Sequence, residues 1–154
     1  MTKTYNYFKS RSGFTLIELV VVVVIVGALA SIALPRYVTF KERAIVAEAL
    51  NAFGTIKKAE EMQRLETGSY ITCQNAAQFA ANLSLTFNQT NWVYLVVSFS
   101  SSTFIIEADR TSANNGNSSL FILFTWDSTT RIGTWSGNHP NTPEGKYNPA
   151  TAKP

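Results

Sequence analysis

The chain has 154 residues and a formal net charge of +3, a length that allows one modest domain plus one membrane-spanning segment. Because Lys3, Lys9 and Arg11 all precede Gly13, the chain after Gly13 has 10 basic and 10 acidic side chains. The positive charge therefore marks the N-terminal segment, and it gives no reason to expect a nucleic-acid partner.

Residues 1–13 form a short polar and basic segment directly before an apolar run. An ordinary secretory signal instead places a small-residue cleavage site after its apolar core, and only the weak candidate Ala28–Ser31 fits that description here. We therefore interpret residues 1–13 as a basic leader peptide. Its positive charge predicts that this end stays in the cytoplasm.

Residues 14–35 are predicted to form a membrane-spanning helix. From Phe14 to Leu34 the sequence has 21 residues and one charged side chain, Glu18. At about 1.5 Å per residue this is roughly 30 Å of helix, the thickness of the hydrocarbon core of a bilayer. The β-branched run Val20–Val26 would also suit a buried strand, but strands rarely exceed ~10 residues. Length therefore favours the helix.

Glu18 is the informative residue of this span. A carboxylate in hydrocarbon costs on the order of 2.5–3.5 kcal/mol even on lenient insertion scales, so it normally has a partner. Glu18 follows Phe14 by four residues, which places both on one helix face. If the chain were cut between Gly13 and Phe14, the new α-amino group would lie near this carboxylate or near that of a neighbouring chain. Spacing alone leaves open this pairing and a carboxylate that reaches the lipid headgroups.

The residues Gly-Phe-Thr-Leu-Ile-Glu, which begin at Gly13, resemble the N-terminal motif of type IV pilins and pseudopilins. The resemblance implies cleavage by a prepilin peptidase between Gly13 and Phe14, N-methylation of Phe14, and assembly through Phe14 and Glu18. Gly27 and Pro35 lie where this family places a helix glycine and a helix proline, and they are candidate kinks. The resemblance covers only the N-terminal quarter of the chain.

This resemblance implies a structural subunit (prepilin) of a type IV pilus or related filament. The precursor would be held in the inner membrane and then polymerised through its N-terminal helix into an extracellular pilus or a periplasm-spanning pseudopilus. Its expected partners are other copies of itself, the prepilin peptidase, the pilus assembly machinery and the membrane. Two alternatives stay open: a pseudopilin of a type II secretion system, and a monomeric signal-anchored binding module. A plain anchor has no need of the cleavage motif, which disfavours the second alternative.

After Pro35 the pattern predicts an amphipathic helix over residues 36–69. Pro35 either stops or kinks the preceding helix, yet apolar residues continue to recur at intervals of three and four. Gly68 suits the left-handed residue that ends a helix. The predicted apolar face comprises Ile45, Ala49, Ala52, Phe53, Ile56, Ala59 and Leu65, and the charged side chains of the other faces include Glu48, Lys57, Glu60, Glu61 and Arg64.

Residues 70–135 are predicted to form a small antiparallel sheet, preceded by a short helix over Asn75–Leu83. Runs rich in Val, Ile, Phe, Trp and Thr fit strands, and the short connections between them favour an antiparallel meander. One face of this sheet can cover the apolar stripe of the preceding helix. The fold class is therefore α+β, a long N-terminal helix packed on a small antiparallel sheet, which the pilin resemblance also implies. The strands are expected over Trp92–Ser98, Thr103–Asp109, Leu120–Trp126 and Thr130–Trp135.

Residues 136–154 contain four prolines and no apolar periodicity, so we expect an extended, partly disordered surface tail. His139, the single histidine, is expected in a solvated turn. Cys73, the single cysteine, cannot form an internal disulfide, whereas many pilins close a C-terminal loop with a cysteine pair. In this chain the loop must be held by strand pairing, by a metal, or hardly at all.

The sequence predicts no catalytic, metal or cofactor site. A zinc site needs at least three His, Cys or carboxylate ligands brought together, and no such cluster is present. Calcium sites occur in the C-terminal regions of some pseudopilins, but Glu107, Asp109, Asp127 and Glu144 match no calcium loop and are expected on the solvated surface. The aromatic residues expected in the core or in subunit contacts are Tyr37, Phe40, Phe53, Trp92 and Trp126.

Overall fold

The computed structural model describes residues 13–113, 116–143 and 146–147. Most of the predicted leader and the end of the predicted tail, with Glu144, lie outside these ranges. The chain divides into two compact units, residues 1–40 and residues 41–154, and we call the second unit the head. The elements are α1 Leu16–Thr67, α2 Ala76–Leu83, β1 Trp92–Phe99, β2 Thr103–Arg110, β3 Phe121–Asp127, β4 Ile132–Gly137 and β5 Lys146–Tyr147.

Helix α1 continues through Pro35 without a break. Proline removes one backbone donor, and the Thr39 hydroxyl donates a hydrogen bond of 3.1 Å to the Pro35 carbonyl. Of the two possibilities for Pro35, a helix stop is therefore excluded, while a kink stays a prediction. The helix ends as predicted at Gly68, which has a φ of 83° and donates its N–H to the Arg64 carbonyl at 2.8 Å.

The apolar part of α1 is exposed throughout the first unit. The large apolar side chains from Leu16 to Leu34 are between 45% and 80% exposed. Among the described residues, α1 is the one helix that is long and apolar enough to cross a membrane. A continuous apolar surface of this extent needs lipid or other protein to cover it.

The five strands form one antiparallel meander in the order β1-β2-β3-β4-β5. The four strands predicted from the sequence are confirmed to within two residues at each end, and the predicted short helix is confirmed as α2. Side chains of β2 and β3 alternate between buried and half-buried positions along the strand. This alternation means that one face of the sheet covers α1 and the other faces outward.

Phe53 is the centre of the head's core. Its ring lies 6.4 Å from the ring of Tyr94, 6.3 Å from Phe124 and 5.6 Å from Trp135, measured between centroids. It is 1% exposed, so α1 and strands β1, β3 and β4 meet on one side chain. The α1 residues that the sheet buries are Ile45, Val46, Ala49, Ala52, Phe53, Ile56 and Glu60.

Two indoles attach the sheet to α1 with hydrogen bonds. Nε1 of Trp92 donates to the Ile45 carbonyl at 2.8 Å, and Nε1 of Trp126 donates to Oε1 of Glu61 at 2.6 Å. Burying an indole normally requires a partner for its N–H. These bonds therefore set which part of the helix faces β1 and which faces β3.

The predicted apolar face of α1 is wrong at its C-terminal end. Leu65 is 79% exposed, whereas Glu60, which we expected on a polar face, is fully buried. Glu60 follows Ile56 by four residues and thus continues the buried face, while the sheet does not extend over Leu65. Oε2 of Glu60 accepts the Ile71 backbone N–H at 3.1 Å, and Oε1 has no hydrogen-bond partner among the described residues.

The prediction of an extended, partly disordered C-terminal tail is partly wrong, because residues 136–137 and 146–147 belong to strands of the sheet. Strand β4 extends to Gly137, and β5 pairs with it through Gly133–Tyr147 and Thr134–Lys146. Strand pairing, one of the three possibilities for a loop without a disulfide, therefore closes this part of the chain.

His139 is likewise buried and does not lie in a solvated turn. It is 4% exposed, its ring centroid is 5.5 Å from that of Trp92, and its Nε2 is 3.8 Å from Oε2 of Glu42. Burial lowers the pKa of His139, with the neighbouring Glu42 opposing that shift. Arg110 completes the cluster, since its guanidinium lies 3.4 Å from Glu42. Side chains distant in the sequence provide this environment, and a single run of residues does not reveal it.

A head fragment that begins at Lys41, and so omits the exposed Tyr37 and Phe40, should be a soluble monomer, because the remaining helix has one polar face and one covered face. In this fragment, Phe53→Ala should lower the free energy of unfolding by roughly 3–5 kcal/mol, the cost of removing a fully buried phenylalanine. The matched control is Phe99→Ala, because Phe99 is 47% exposed and should cost much less. Urea denaturation of both variants measures the difference, and equal losses would contradict the assignment of Phe53 to the core.

Glu60 should make the stability of the head depend on pH. Burial raises the pKa of Glu60 to about 7 from its ordinary value of 4.5, with Glu61 adding to the rise. Between these two pKa values Glu60 is protonated in the folded protein and ionised in the unfolded chain. The contribution of Glu60 to the stability of the head is therefore greatest below about pH 4.5 and is lost as the pH rises through about 7.

Glu60→Gln keeps an acceptor for Ile71 and cannot ionise. The variant should therefore be more stable relative to wild type at about pH 8 than at about pH 5, as measured by urea denaturation at both. A difference that is the same at the two pH values would show that Glu60 does not titrate in this range.

Candidate functional site

The predicted assembly residues lie at the start of α1, where Thr15 and Glu18 form a reciprocal cap. Oε2 of Glu18 accepts the Thr15 backbone N–H at 2.8 Å and the Thr15 hydroxyl at 2.7 Å. In return, Oγ1 of Thr15 accepts the Glu18 backbone N–H at 3.3 Å. This is the capping box, in which a threonine and a glutamate three residues later satisfy each other's free N–H groups at a helix start.

This role of Glu18 was not predicted from the sequence. The two predicted roles were a pair with an α-amino group and a carboxylate that reaches the headgroups. The pattern Thr-x-x-Glu directly before an apolar run is the signal that would have revealed the cap. The cap also holds the carboxylate at the helix N-terminus, where the helix dipole favours negative charge.

The cap uses only one of the two carboxylate oxygens of Glu18. Both bonds from Thr15 end on Oε2, and no hydrogen bond from the described residues reaches Oε1 of Glu18. Phe14 precedes α1 and is 82% exposed. It lines, together with Glu18, a shallow depression of about 310 Å³ whose other lining residues are Ile17, Val21 and Val22. A cation that binds Oε1 would therefore leave both hydrogen bonds of the cap in place.

Gly13 and Gly27 have no neighbours in the described chain that require glycine. A Cβ added at either position would meet no atom within 4 Å. Packing within one chain therefore does not explain these two glycines. Gly13 lies three residues before the start of α1, next to the exposed Phe14.

Cys73 and Asp127 are two further titratable candidates of the sequence. Cys73 is buried, and burial raises the pKa of its thiol to about 11, with Glu60 adding to the rise. Oδ1 of Asp127 accepts the backbone N–H of Thr129 at 2.7 Å, and this turn hydrogen bond lowers the pKa of Asp127. The described residues contain no group of three or more His, Cys, Asp or Glu that could hold a metal ion.

The five aromatic residues chosen from the sequence divide between the two units. Phe53, Trp92 and Trp126 are buried in the core of the head, as expected. Tyr37 and Phe40 lie in the first unit and are 68% and 73% exposed. These two rings extend the exposed apolar surface of α1 beyond Leu34.

Comparison with known proteins links the start of the chain to one motif. The family model described as the prokaryotic N-terminal methylation motif matches residues 8–34. This match includes Gly13, Phe14 and Glu18. No solved structure matches the chain significantly.

The similarity to known proteins extends beyond this motif. The fimbrial protein EcpC of Eikenella corrodens is 30% identical over 143 residues, which is 93% of this chain and 91% of that protein. The type IV pilus subunit protein TapA of Aeromonas hydrophila is 49% identical over 67 residues, 44% of this chain and 47% of that protein. The type II secretion system core protein G of Aeromonas hydrophila is 34% identical over 74 residues, 48% of this chain and 52% of that protein. The chain thus spans about half the length of the last two relatives.

Proposed function

Because this chain belongs to the family of type IV pilins and pseudopilins, we propose that it is a structural subunit of a type IV pilus or related filament. The precursor is anchored in the inner membrane by residues 14–35. After processing, the same segment packs against other copies in the core of the filament. The relatives include both a pilus subunit and a secretion-system protein, so a type II secretion pseudopilus is the second candidate.

The observation that carries this proposal is the uncovered apolar surface of α1. Side chains from Leu16 to Leu34 are exposed, whereas the head buries its own apolar residues around Phe53. A chain with a complete core and a separate, fully apolar helix surface needs two environments. Lipid covers the helix surface before assembly, and neighbouring helices cover it afterwards.

We infer that processing occurs between Gly13 and Phe14. The methylation-motif model includes this junction, and the Phe14 side chain is exposed. No contact within the described chain explains why residue 13 is glycine, which supports recognition by another protein. The prepilin peptidase of this family is the expected partner, and Phe14 is the expected site of N-methylation.

Glu18 has two roles in this proposal. It caps α1 through Oε2, and after cleavage it pairs with the Phe14 α-amino group through Oε1. An unpaired ammonium group in a low-dielectric filament core is costly, and Glu18 is the carboxylate of the span. A pair between two subunits would also set the axial register of an incoming subunit.

The cleavage proposal predicts that Gly13→Leu blocks processing. N-terminal sequencing of assembled wild-type protein should begin at Phe14, whereas the variant should keep its leader and stay in the membrane fraction. Gly27→Leu is the matched control, since a Cβ at Gly27 also meets no atom within 4 Å, and it should be cleaved normally. Assembled wild-type protein that begins at Met1 would contradict the proposal.

The two roles of Glu18 can be separated by substitution. Glu18→Ala should be cleaved and stay in the membrane but assemble poorly, and Glu18→Asp should be intermediate because its carboxylate reaches less far. Glu18→Gln is the decisive variant, because glutamine also completes a capping box but has no charge. If the charge is required, Glu18→Gln assembles as poorly as Glu18→Ala.

The measurement is the ratio of sheared filament to cleaved membrane subunit, by immunoblot, for each variant. Normal assembly of Glu18→Gln with poor assembly of Glu18→Ala would assign Glu18 to capping alone. Normal filaments from Glu18→Ala would show that assembly requires neither the cap nor the ion pair of Glu18.

A further inference from the structure

A polar cleft of about 430 Å³ opens in the head between α1 and the turn that joins β3 to β4. Three of its lining side chains are cationic, and one is a carboxylate. We call it the basic cleft. Its lining residues are Lys57, Glu61, Arg64, Trp126, Ser128 and Arg131.

The carboxylate of the basic cleft is already engaged. Oε1 of Glu61 accepts hydrogen bonds from the Tyr70 hydroxyl at 2.5 Å and from Nε1 of Trp126 at 2.6 Å. Oε2 of Glu61 lies 3.3 Å from the Arg64 guanidinium. Glu61 therefore pairs with Arg64, and no ion pair joins Glu61 to Arg131 among the described residues.

Arg131 is the cation that this arrangement leaves accessible. Its side chain is exposed, and it forms no ion pair with the residues that the structure describes. Its backbone has a φ of 56°, so the tight turn between β3 and β4 holds it at the cleft. Nε of Arg64 is buried and has no hydrogen-bond partner among the described residues. An oxyanion is the chemical complement of this cleft.

A nucleic acid is a poor candidate for that oxyanion. Trp126 is 3% exposed, and the Nζ atom of Lys57 lies 3.6 Å from the centroid of its ring. The indole therefore offers no open face on which a base could stack, as single-stranded nucleic-acid sites require. Protein carboxylates are the better match.

Two such carboxylates occur on the outward face of the sheet. Glu107 and Asp109 alternate along β2 with side chains that are buried against α1. Their cross-strand neighbours are apolar: Leu95 and Leu123 oppose Glu107, and Val93 and Phe121 oppose Asp109. Neither carboxylate forms an ion pair with a described residue. Burial and the adjacent Asp109 raise the pKa of Glu107.

These carboxylates cannot reach the basic cleft of their own chain. The start of β2 lies at the cleft, since Thr103 pairs with Asp127 directly before the β3–β4 turn. Glu107 and Asp109 are four and six residues further along the same strand, about 13 and 20 Å away. Both also lie on the opposite face of the sheet. The two patches can therefore meet only between two copies of the head.

We propose that the basic cleft of one subunit binds the Glu107 and Asp109 carboxylates of a second copy of this chain. The contact joins two different surfaces, so it is head-to-tail and can continue from subunit to subunit without closing. It rests on the proposed filament function and adds a specific contact between heads. Arg131 forms the intersubunit ion pair, and Arg64 lies behind it.

Charge reversal in full-length protein tests this contact, in cells that assemble the wild-type chain. Arg131→Glu and Glu107→Lys should each lower the yield of sheared filament by at least about tenfold, because like charges then face each other across the contact. The double variant Arg131→Glu with Glu107→Lys should recover to within about twofold of wild type, because the swapped charges attract again. The amount of cleaved membrane subunit should be unchanged in all three, which excludes misfolding.

Arg43 provides the matched control, because it is an exposed arginine of α1 outside the basic cleft. Arg43→Glu should keep its filament yield, and Arg43→Glu with Glu107→Lys should stay as low as Glu107→Lys, although its net charge equals that of wild type. An equal loss in Arg43→Glu, or no recovery in the double variant with Arg131→Glu, would overturn the proposed pairing.

The outcome for wild type separates this inference from the function on which it rests. If wild-type filaments form and Arg131→Glu forms them equally well, the basic cleft is not a subunit contact, while the filament function stands. If the wild-type chain forms no filaments although it is cleaved, both proposals fail together.

Discussion

The segment from Leu16 to Leu34 presents an apolar surface that the described residues do not cover, and the rest of the molecule depends on how this surface is removed from water. At about 1.5–3 kcal/mol for each large apolar side chain, its exposure to water would cost on the order of tens of kcal/mol. Lipid tails and neighbouring helices remove it from water about equally well. Transfer from membrane to filament therefore depends on packing and on the few polar groups of the segment, as is usual for helix association in lipid.

The capping box matters in this setting because it gives the single carboxylate of the span a fixed position. Thr15 holds Oε2 of Glu18 at the helix start, so the carboxylate does not need to be ordered again when a cation arrives. Preorganisation of this kind reduces the entropy lost on binding. One local motif thus serves the helix terminus and, in the proposed function, the assembly contact.

The head meets a different requirement, because the second half of α1 is amphipathic and must be attached to a sheet. Apolar packing around Phe53 supplies most of the contact, and polar groups fasten both ends. Glu42 meets Arg110 and His139 at one end, and Glu61 meets Trp126 at the other. The charges that remain on the outside are distributed unevenly over a chain that is neutral after Gly13. In the proposed contact between copies of the head, this imbalance supplies the electrostatic attraction.

The sequence by itself determined the elements of this fold and the nature of the N-terminal site. The length of the apolar run and the periodicity after Pro35 located α1. Runs rich in β-branched and aromatic residues located the four main strands. All of these patterns are local properties of the chain. The cleavage motif and the charge inside the span were also visible, since each lies in one short run of residues. The capping box was equally local, and its Thr-x-x-Glu signal was present in the sequence.

The burial of single polar residues was decided only by the tertiary structure. Glu60 lies inside because the sheet ends between it and Leu65, and nothing in the helix pattern specifies where a covering layer stops. His139 is buried because Trp92, Glu42 and Arg110 meet around it, although they are far from it in the sequence. The basic cleft and the Glu107–Asp109 pair likewise require the register of β2 against β3. Such environments depend on contacts between distant residues, and a one-dimensional pattern does not contain them.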